Sequence, residues 1–172
     1  LTDADGNDIQ ATDITTIAAD TSGTVTVTNN MDINGSSAEV AVAVGDVDTF
    51  SATPTATLTS NHTLAQLKTI NDALSGTITL NSYNVAFSGS TADVKAALAG
   101  TFGATYMGNV TLTDANGTDI QAADITTIAG GTNGTVTVQN SIDINGTSAE
   151  VAAAVAHVDT FSGVATATLN TT

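Results

Sequence analysis

The chain is 172 residues long and carries 17 acidic against two basic side chains, a formal net charge of −15. With Lys68 and Lys95 as its lysines and no arginine, it cannot neutralise a run of phosphates, which argues against nucleic acid and against anionic lipid surfaces. The absence of cysteine removes disulfides and thiol chemistry, and no apolar run approaches the roughly 18–20 residues that span a bilayer.

Organisation is read from self-similarity. Leu1–Ser60 (LTDADGNDIQATDITTIAAD…) returns without a gap as Leu112–Thr171, with roughly 42 of 60 aligned positions identical. The stretch between is a diverged member of the series, since SGTITL at Ser75 answers SGTVTV at Ser22, and SGSTADVKAAL at Ser88 answers NGSSAEVAVAV at Asn34. Three repeat units follow: 1–57, a diverged 58–111, and 112–172 as a close copy of the first. The chain starts without Met and stops at the next TATL strand, so a cut through a longer array is expected.

In chain order, the spacing of Ile14 and Ile17 predicts a helix over Asp8–Ile17. The alternation TVTVT predicts a strand over Thr24–Thr28, and Met31–Ile33 a short second strand beyond the Asn29-Asn30 loop. Asn-Gly within Asp32–Gly35 (DING) signals a turn. Ser36 three residues before Glu39 is a capping box, and Val40, Val44 and Val47 form a helical stripe behind it. TATLT at Thr55–Thr59 is a strand. Thr63 with Gln66 caps a helix over Thr63–Leu74 with Leu64, Leu67, Ile70 and Leu74 on one stripe.

Strands are predicted again at Thr77–Leu80, Val85–Phe87 and Asn109–Thr113, with Ser90 and Asp93 capping a helix between the last two. The third unit repeats the first: a helix over Asp119–Ile128 and strands at Thr135–Val138 and Ile142–Ile144. A helix capped by Thr147 and Glu150 follows, striped by Val151, Val155 and Val158. Strands joined through helices favour parallel pairing with right-handed crossovers. The fold class is therefore α/β, a repeat solenoid of strand–helix coils of about 27 residues with a mainly parallel sheet; a β-solenoid with short helices is the alternative. Neither end carries a polar cap, so end-to-end stacking with a second copy is expected.

The phrases GTVTVTN…INGSSAEVA, TLAQLKTINDALSGTITL and SGSTADVKAALAG resemble repeats of very large secreted bacterial surface proteins, described as haemolysin-type, adhesin-like or S-layer-like, in cyanobacteria and proteobacteria. The resemblance covers the whole chain and implies an extracellular, cell-surface role in filaments, sheaths or surface layers. It brings no catalytic residue. The glycine-rich nonapeptides of calcium rolls are absent, so that site does not transfer.

The leading metal candidate is the loop Asp3-Ala4-Asp5-Gly6-Asn7-Asp8, which returns as Asp114-Ala115-Asn116-Gly117-Thr118-Asp119. Asp3, Asp5 and Asp8, and Asp114, Asn116 and Asp119, place three oxygen-bearing side chains around a glycine turn, which suits Ca²⁺. The same pattern also reads as an Asx turn entering a helix, and the position of a bidentate glutamate holds Ile14 or Ile125. Asp32 and Asp143 sit at the DING turn, Asp48 and Asp159 near a helix end read as loop caps or partner contacts, and Glu39 and Glu150 as capping residues.

His62 and His157 occupy different unit positions without a His or Cys companion, so both read as surface histidines rather than zinc ligands. Phe50, Tyr83, Phe87, Phe102, Tyr106 and Phe161 read as core or coil-junction residues. Asn34, Asn61, Asn109, Asn116, Asn133, Asn145 and Asn170 stand in sequons, several of which are Asn-Gly turns. No nucleophile elbow, Ser-His-Asp set or phosphate loop is present, so an enzyme is not expected. The reading is a structural segment that self-assembles with itself or neighbouring repeats, tuned by Ca²⁺, with no nucleic acid and no membrane insertion. The alternative is an adhesin stalk or calcium-dependent ligand-binding module with a glycan or other cell-surface partner.

Overall fold

The structure, a computed structural model, describes residues 1–170; Thr171 and Thr172, which end the third repeat unit and the Asn170 sequon, lie outside the described residues. The first elements are β1 (Asp8–Gln10), α1 (Ala11–Asp20), β2 (Thr26–Val27), β3 (Asp32–Gly35), α2 (Ser37–Asp46), β4 (Thr49–Phe50) and β5 (Thr55–Leu58). Then come α3 (Leu64–Ala73), β6 (Thr77–Thr79), β7 (Phe87–Gly89), α4 (Thr91–Ala97), β8 (Thr101–Phe102) and β9 (Val110–Leu112). The last are β10 (Thr118–Gln121), α5 (Ala122–Gly131), β11 (Val136–Val138), β12 (Ile142–Gly146), α6 (Ser148–His157), β13 (Thr160–Phe161) and β14 (Ala165–Leu169).

The chain divides into two compact units, Leu1–Tyr83 with Ala99–Ala104, and Asn84–Leu98 with Thr105–Thr172. The middle block is thereby shared out, α3 to the first unit and α4 to the second. The first unit holds a sheet in the order β1-β3-β5-β6-β8 and the pair β2-β4. The second holds β13-β11-β9-β7 and β10-β12-β14. Each strand pair among the described residues is parallel, so the class is α/β with parallel sheets.

The register is close to constant. Asp8 pairs with Asp32 and Asp32 with Thr55, steps of 24 and 23 residues. The extremes are 22, for Ala56 with Ile78, and 26, for Val110 with Val136. Each step between β1, β3 and β5, or between β10, β12 and β14, contains one ten-residue helix and a second short strand. The period is therefore shorter than the expected 27, and Thr-Phe pairs such as Thr49–Phe50 form two-residue strands behind the helix.

Helices begin where side chains can satisfy the free N–H groups of the first turn. Ser36 with Glu39, Thr63 with Gln66 and Thr147 with Glu150 form capping boxes, and the Ser90 side chain accepts from the Asp93 N–H. Behind each cap runs a narrow stripe of small or branched residues, Val40, Ala43 and Val44 on α2 and Val94 and Ala97 on α4. Small stripes let helices lie close: α1 packs on α2 and α2 on α3 in the first unit, α4 on α5 and α5 on α6 in the second. Ile14, Ile33, Ile125 and Ile144 are the fully buried centre beneath them.

Two local expectations are corrected. Asp8–Gln10 and Thr118–Gln121 are strands, and the helices start at Ala11 and Ala122. The D-I-Q alternation buries Ile9 and Ile120 and pairs in register with Asp32–Asn34 and Asp143–Asn145, a ladder that the weak helix stripe cannot outcompete. The DING segments, in turn, are strands rather than turns. Their glycines serve close approach: a Cβ on Gly35 or Gly146 would come within 3.1 Å of the Cβ of Ala11 or Ala122.

Candidate functional site

The glycine turns of the Asp-rich loops form as expected. Gly6 and Gly117 have φ of 78° and 77°, and the N–H groups of Asn7 and Thr118 close the turns on Ala4 and Ala115 at 3.1 Å. Each turn is held to the following coil, where Gly6 N–H meets Asn30 O at 2.7 Å and Gly117 N–H meets Ser141 O at 2.8 Å.

The candidate metal ligands divide by what they already bind. Asp5 Oδ1 accepts from Asn30 N–H at 2.8 Å and Asn116 Oδ1 from Ser141 N–H at 3.0 Å. Asp114 takes the Thr91 hydroxyl at 2.6 Å and the Thr91 N–H at 3.0 Å, closing the first turn of α4. Asp8 and Asp119 stand exposed on β1 and β10, directly beside Asp32 and Asp143 in the parallel register. Asp32 and Asp143 accept from the hydroxyls of Thr55 and Thr166, each at 2.7 Å. Hydroxyls of Thr166 and then Thr168 hold the Asp143 carboxyl below its ordinary range. The loops thus bring Asp8 to Asp32 and Asp119 to Asp143, rather than gathering Asp3, Asp5 and Asp8 onto one point. Among the described residues, no three His, Cys, Asp or Glu side chains are placed to share an ion.

Asp48 and Asp159, just past the ends of α2 and α6, are inter-coil anchors. Their Oδ2 atoms accept the N–H groups of Val25 and Val136 at 2.7 and 2.8 Å. Glu39 and Glu150 cap their helices, and hydrogen bonds from Ser36 and Thr147 lower their carboxyl pKa.

His62 contradicts its surface assignment. It occupies the place before an N-cap that Gly35 and Gly146 fill elsewhere, and there it is 3% exposed. Burial pushes its imidazole down to about 4, so it is neutral at pH 7. A histidine depressed in the folded state is protonated first in the unfolded chain, so its contribution holds above pH 6.5 and fades as the pH falls towards 4. Between pH 7 and 4.5 the chain is expected to lose on the order of 2 kcal/mol through this group, after allowance for partial solvent screening. Urea unfolding across that window checks this. His62→Gln flattens the slope, and parallel curves for the two chains would remove His62 as the cause. His157, in the last turn of α6, is exposed as expected.

The aromatic core is small. Tyr106 is buried, stacks on Phe87 at 5.2 Å and donates its hydroxyl to Val85 O at 2.6 Å, and burial raises its phenol pKa. A groove of about 400 Å³ between α1 and α2 is lined by Thr12, Thr15, Thr16, Ala38 and Val42, with Glu39 already committed to its cap.

The most informative surfaces are found by comparing the two copies. Ile128 on α5 is fully buried, whereas its counterpart Ile17 on α1 is 41% exposed. Val44 on α2 is 2% exposed and Leu58 on β5 also 2%, whereas Val155 on α6 and Leu169 on β14 reach 44% and 58%. Ser37 is buried and Ser148 exposed. Ile128 lies where α4 packs on α5, Val44 and Ser37 where α3 packs on α2, and Leu58 on β5 beside β6; the exposed copies have no such packed helix or paired strand beyond them among the described residues. Sequence identity between copies concealed this difference, which depends on neighbours in space. Comparison with family models, with curated proteins and with solved structures finds no match.

Proposed function

We propose that the chain is a non-catalytic structural repeat segment of an extracellular bacterial surface protein, a solenoid whose coils stack into a filament, sheath or surface layer. The observation that carries the reading is the pair of unfinished faces. Ile17 in the first unit, and Val155 and Leu169 in the second, occupy places that are buried completely or nearly so in the other copy. Full burial of a branched side chain contributes roughly 1.5–3 kcal/mol, and covering these half-exposed ones contributes a fraction of that each, which favours association. The steady step of 22 to 26 residues supports a solenoid, and exposed strand edges at solenoid ends pair readily with other chains.

Sedimentation velocity over a concentration series tests this. Mass that grows with concentration, and falls back in Leu169→Asp, is expected. A monomer at every concentration would instead favour an adhesin stalk. A role for Ca²⁺ is the second reading, favoured by the in-register pairs Asp8–Asp32 and Asp119–Asp143, where a divalent ion would relieve like-charge repulsion. A rise in melting temperature with Ca²⁺ that Asp32→Asn and Asp143→Asn abolish supports it; no rise excludes it.

A further inference from the structure

The two copies differ in what covers the N-terminal side of their first helix. In the second unit α4 lies there and makes three distinct contacts. Thr91 binds Asp114 through its hydroxyl and N–H, Lys95 forms an ion pair with Asp124 at 2.5 Å, and Leu98 closes over Gly131. Thr91 and Ala92 partly fill a groove lined also by Asp114, Asp119, Ile120 and Asp124, leaving about 240 Å³. The first copy repeats this groove. Asp3, Asp8, Ile9 and Asp13 stand where Asp114, Asp119, Ile120 and Asp124 stand, and with no α4 above them the groove measures about 520 Å³.

Resting on the stacking reading above, we propose that the groove of the first unit is a docking site for a coil of the Ser88–Leu98 class. Its chemistry is a hydroxyl at the first helical position, which Ser148 of α6 shares, and a lysine four residues later, which α6 lacks. Three observations argue for this occupant, and the last favours it over direct stacking of a second copy through α6. The groove carries three carboxylates, and the cation on its lining, the Leu1 ammonium, already donates to Thr26 O at 2.6 Å, so the groove complements a lysine. The hydroxyl and lysine partners, Asp3 and Asp13, are both in place and exposed. In α6 the residue corresponding to Lys95 is Ala152, so a directly stacked copy would leave Asp13 without its ion pair. One departure is informative. Asp20 stands in the first copy where Gly131 admits Leu98, and a Cβ on Gly131 would come within 3.2 Å of the Leu98 Cβ. The occupant therefore carries a side chain smaller than leucine at that place.

By this account the middle block is a two-ended adaptor. Its α3 coil covers the copy before it, where Ser37 donates to Asn61 O at 2.8 Å, and its α4 coil covers the copy after it. An array would then alternate the two kinds of block rather than repeat one.

The test places a second middle block, residues 58–111, directly before Leu1 of the complete chain and reads amide exchange of α1. A companion chain adds Asp20→Gly to relieve the crowding. The α1 amides are expected to exchange at least tenfold more slowly in one or both. That protection should be lost when the added block carries the Lys95→Ala change, and restored when Asp13→Lys is combined with Lys95→Asp in the added block. Prefixing residues 112–168 instead should give several-fold weaker protection, since direct stacking keeps the apolar contacts but lacks the ion pair to Asp13. Unchanged α1 exchange in both extended chains, or equal protection by the 112–168 block, overturns the proposal. Sedimentation of the unextended chain reads the general stacking idea separately, so the two can fail independently.

Discussion

Ile128→Ala is expected to lower stability by about 3 kcal/mol, whereas Ile17→Ala, the same change in the other copy, costs less than about 1 kcal/mol. The sequence around the two residues is nearly identical, D-I-T-T-I-A in both, so propensity and local chemistry cancel. What differs is cover. Ile128 is fully buried, with α4 packed on its helix, and truncation leaves a cavity that neighbouring coils cannot collapse into. Ile17 is 41% exposed and loses only part of its contacts. Urea denaturation of both variants gives the comparison in one experiment. Equal costs would mean that the two helices have equal cover, and the end-face reading would fall with that result. In an assembled sample the gap should narrow, because Ile17 then acquires the cover that Ile128 already has.

The second large effect is steric. A Cβ on Gly134 would lie 2.4 Å from the backbone oxygen of Gly108 and 2.6 Å from its carbonyl carbon, positions no side chain can occupy without moving the coil beneath. The same oxygen accepts from the buried Thr132 hydroxyl at 2.8 Å, so displacement also strains a satisfied polar contact. Gly134→Ala is therefore expected to cost about 3 kcal/mol. Two controls separate crowding from backbone freedom. Gly23, the first-copy counterpart, faces only the Thr21 hydroxyl at 3.4 Å, so Gly23→Ala should cost well under about 1 kcal/mol. Gly130, inside α5 with nothing within 4 Å, should gain up to about 1 kcal/mol as alanine. Thermal and urea unfolding of the three variants check the order; a cost at Gly134 no larger than at Gly23 would contradict the close coil approach.

Much of the fold was legible because its signals are local. Capping boxes at Ser36, Thr63 and Thr147, and the alternation of Thr with Val or Ile, depend on residues within one turn or one strand. The errors arose where a distant partner decides. Asp8–Gln10 is a strand because Asp32–Asn34 lies beside it, and Gly35 is extended because it pairs with Leu58 of β5. His62 is buried because a place before an N-cap faces inward in this architecture. The Asp-rich loops read from their spacing either as Asx turns or as Ca²⁺ sites, and spacing cannot show that Asp5 and Asp114 hold neighbouring backbone and hydroxyl groups. The end faces were anticipated only as missing polar caps; which residues they expose emerged from comparing copies.

The most direct measurement is negative-stain electron microscopy of the purified chain at high concentration, with Ca²⁺ and then with chelator. Ordered filaments or sheets are expected, with Ile17→Asp and Leu169→Asp each abolishing them while leaving the fold intact by circular dichroism. Dissolution by chelator would assign the paired aspartates a role in assembly, and indifference would leave assembly to the apolar faces. Isolated short particles under both conditions, from a folded chain, would contradict a self-assembling structural segment.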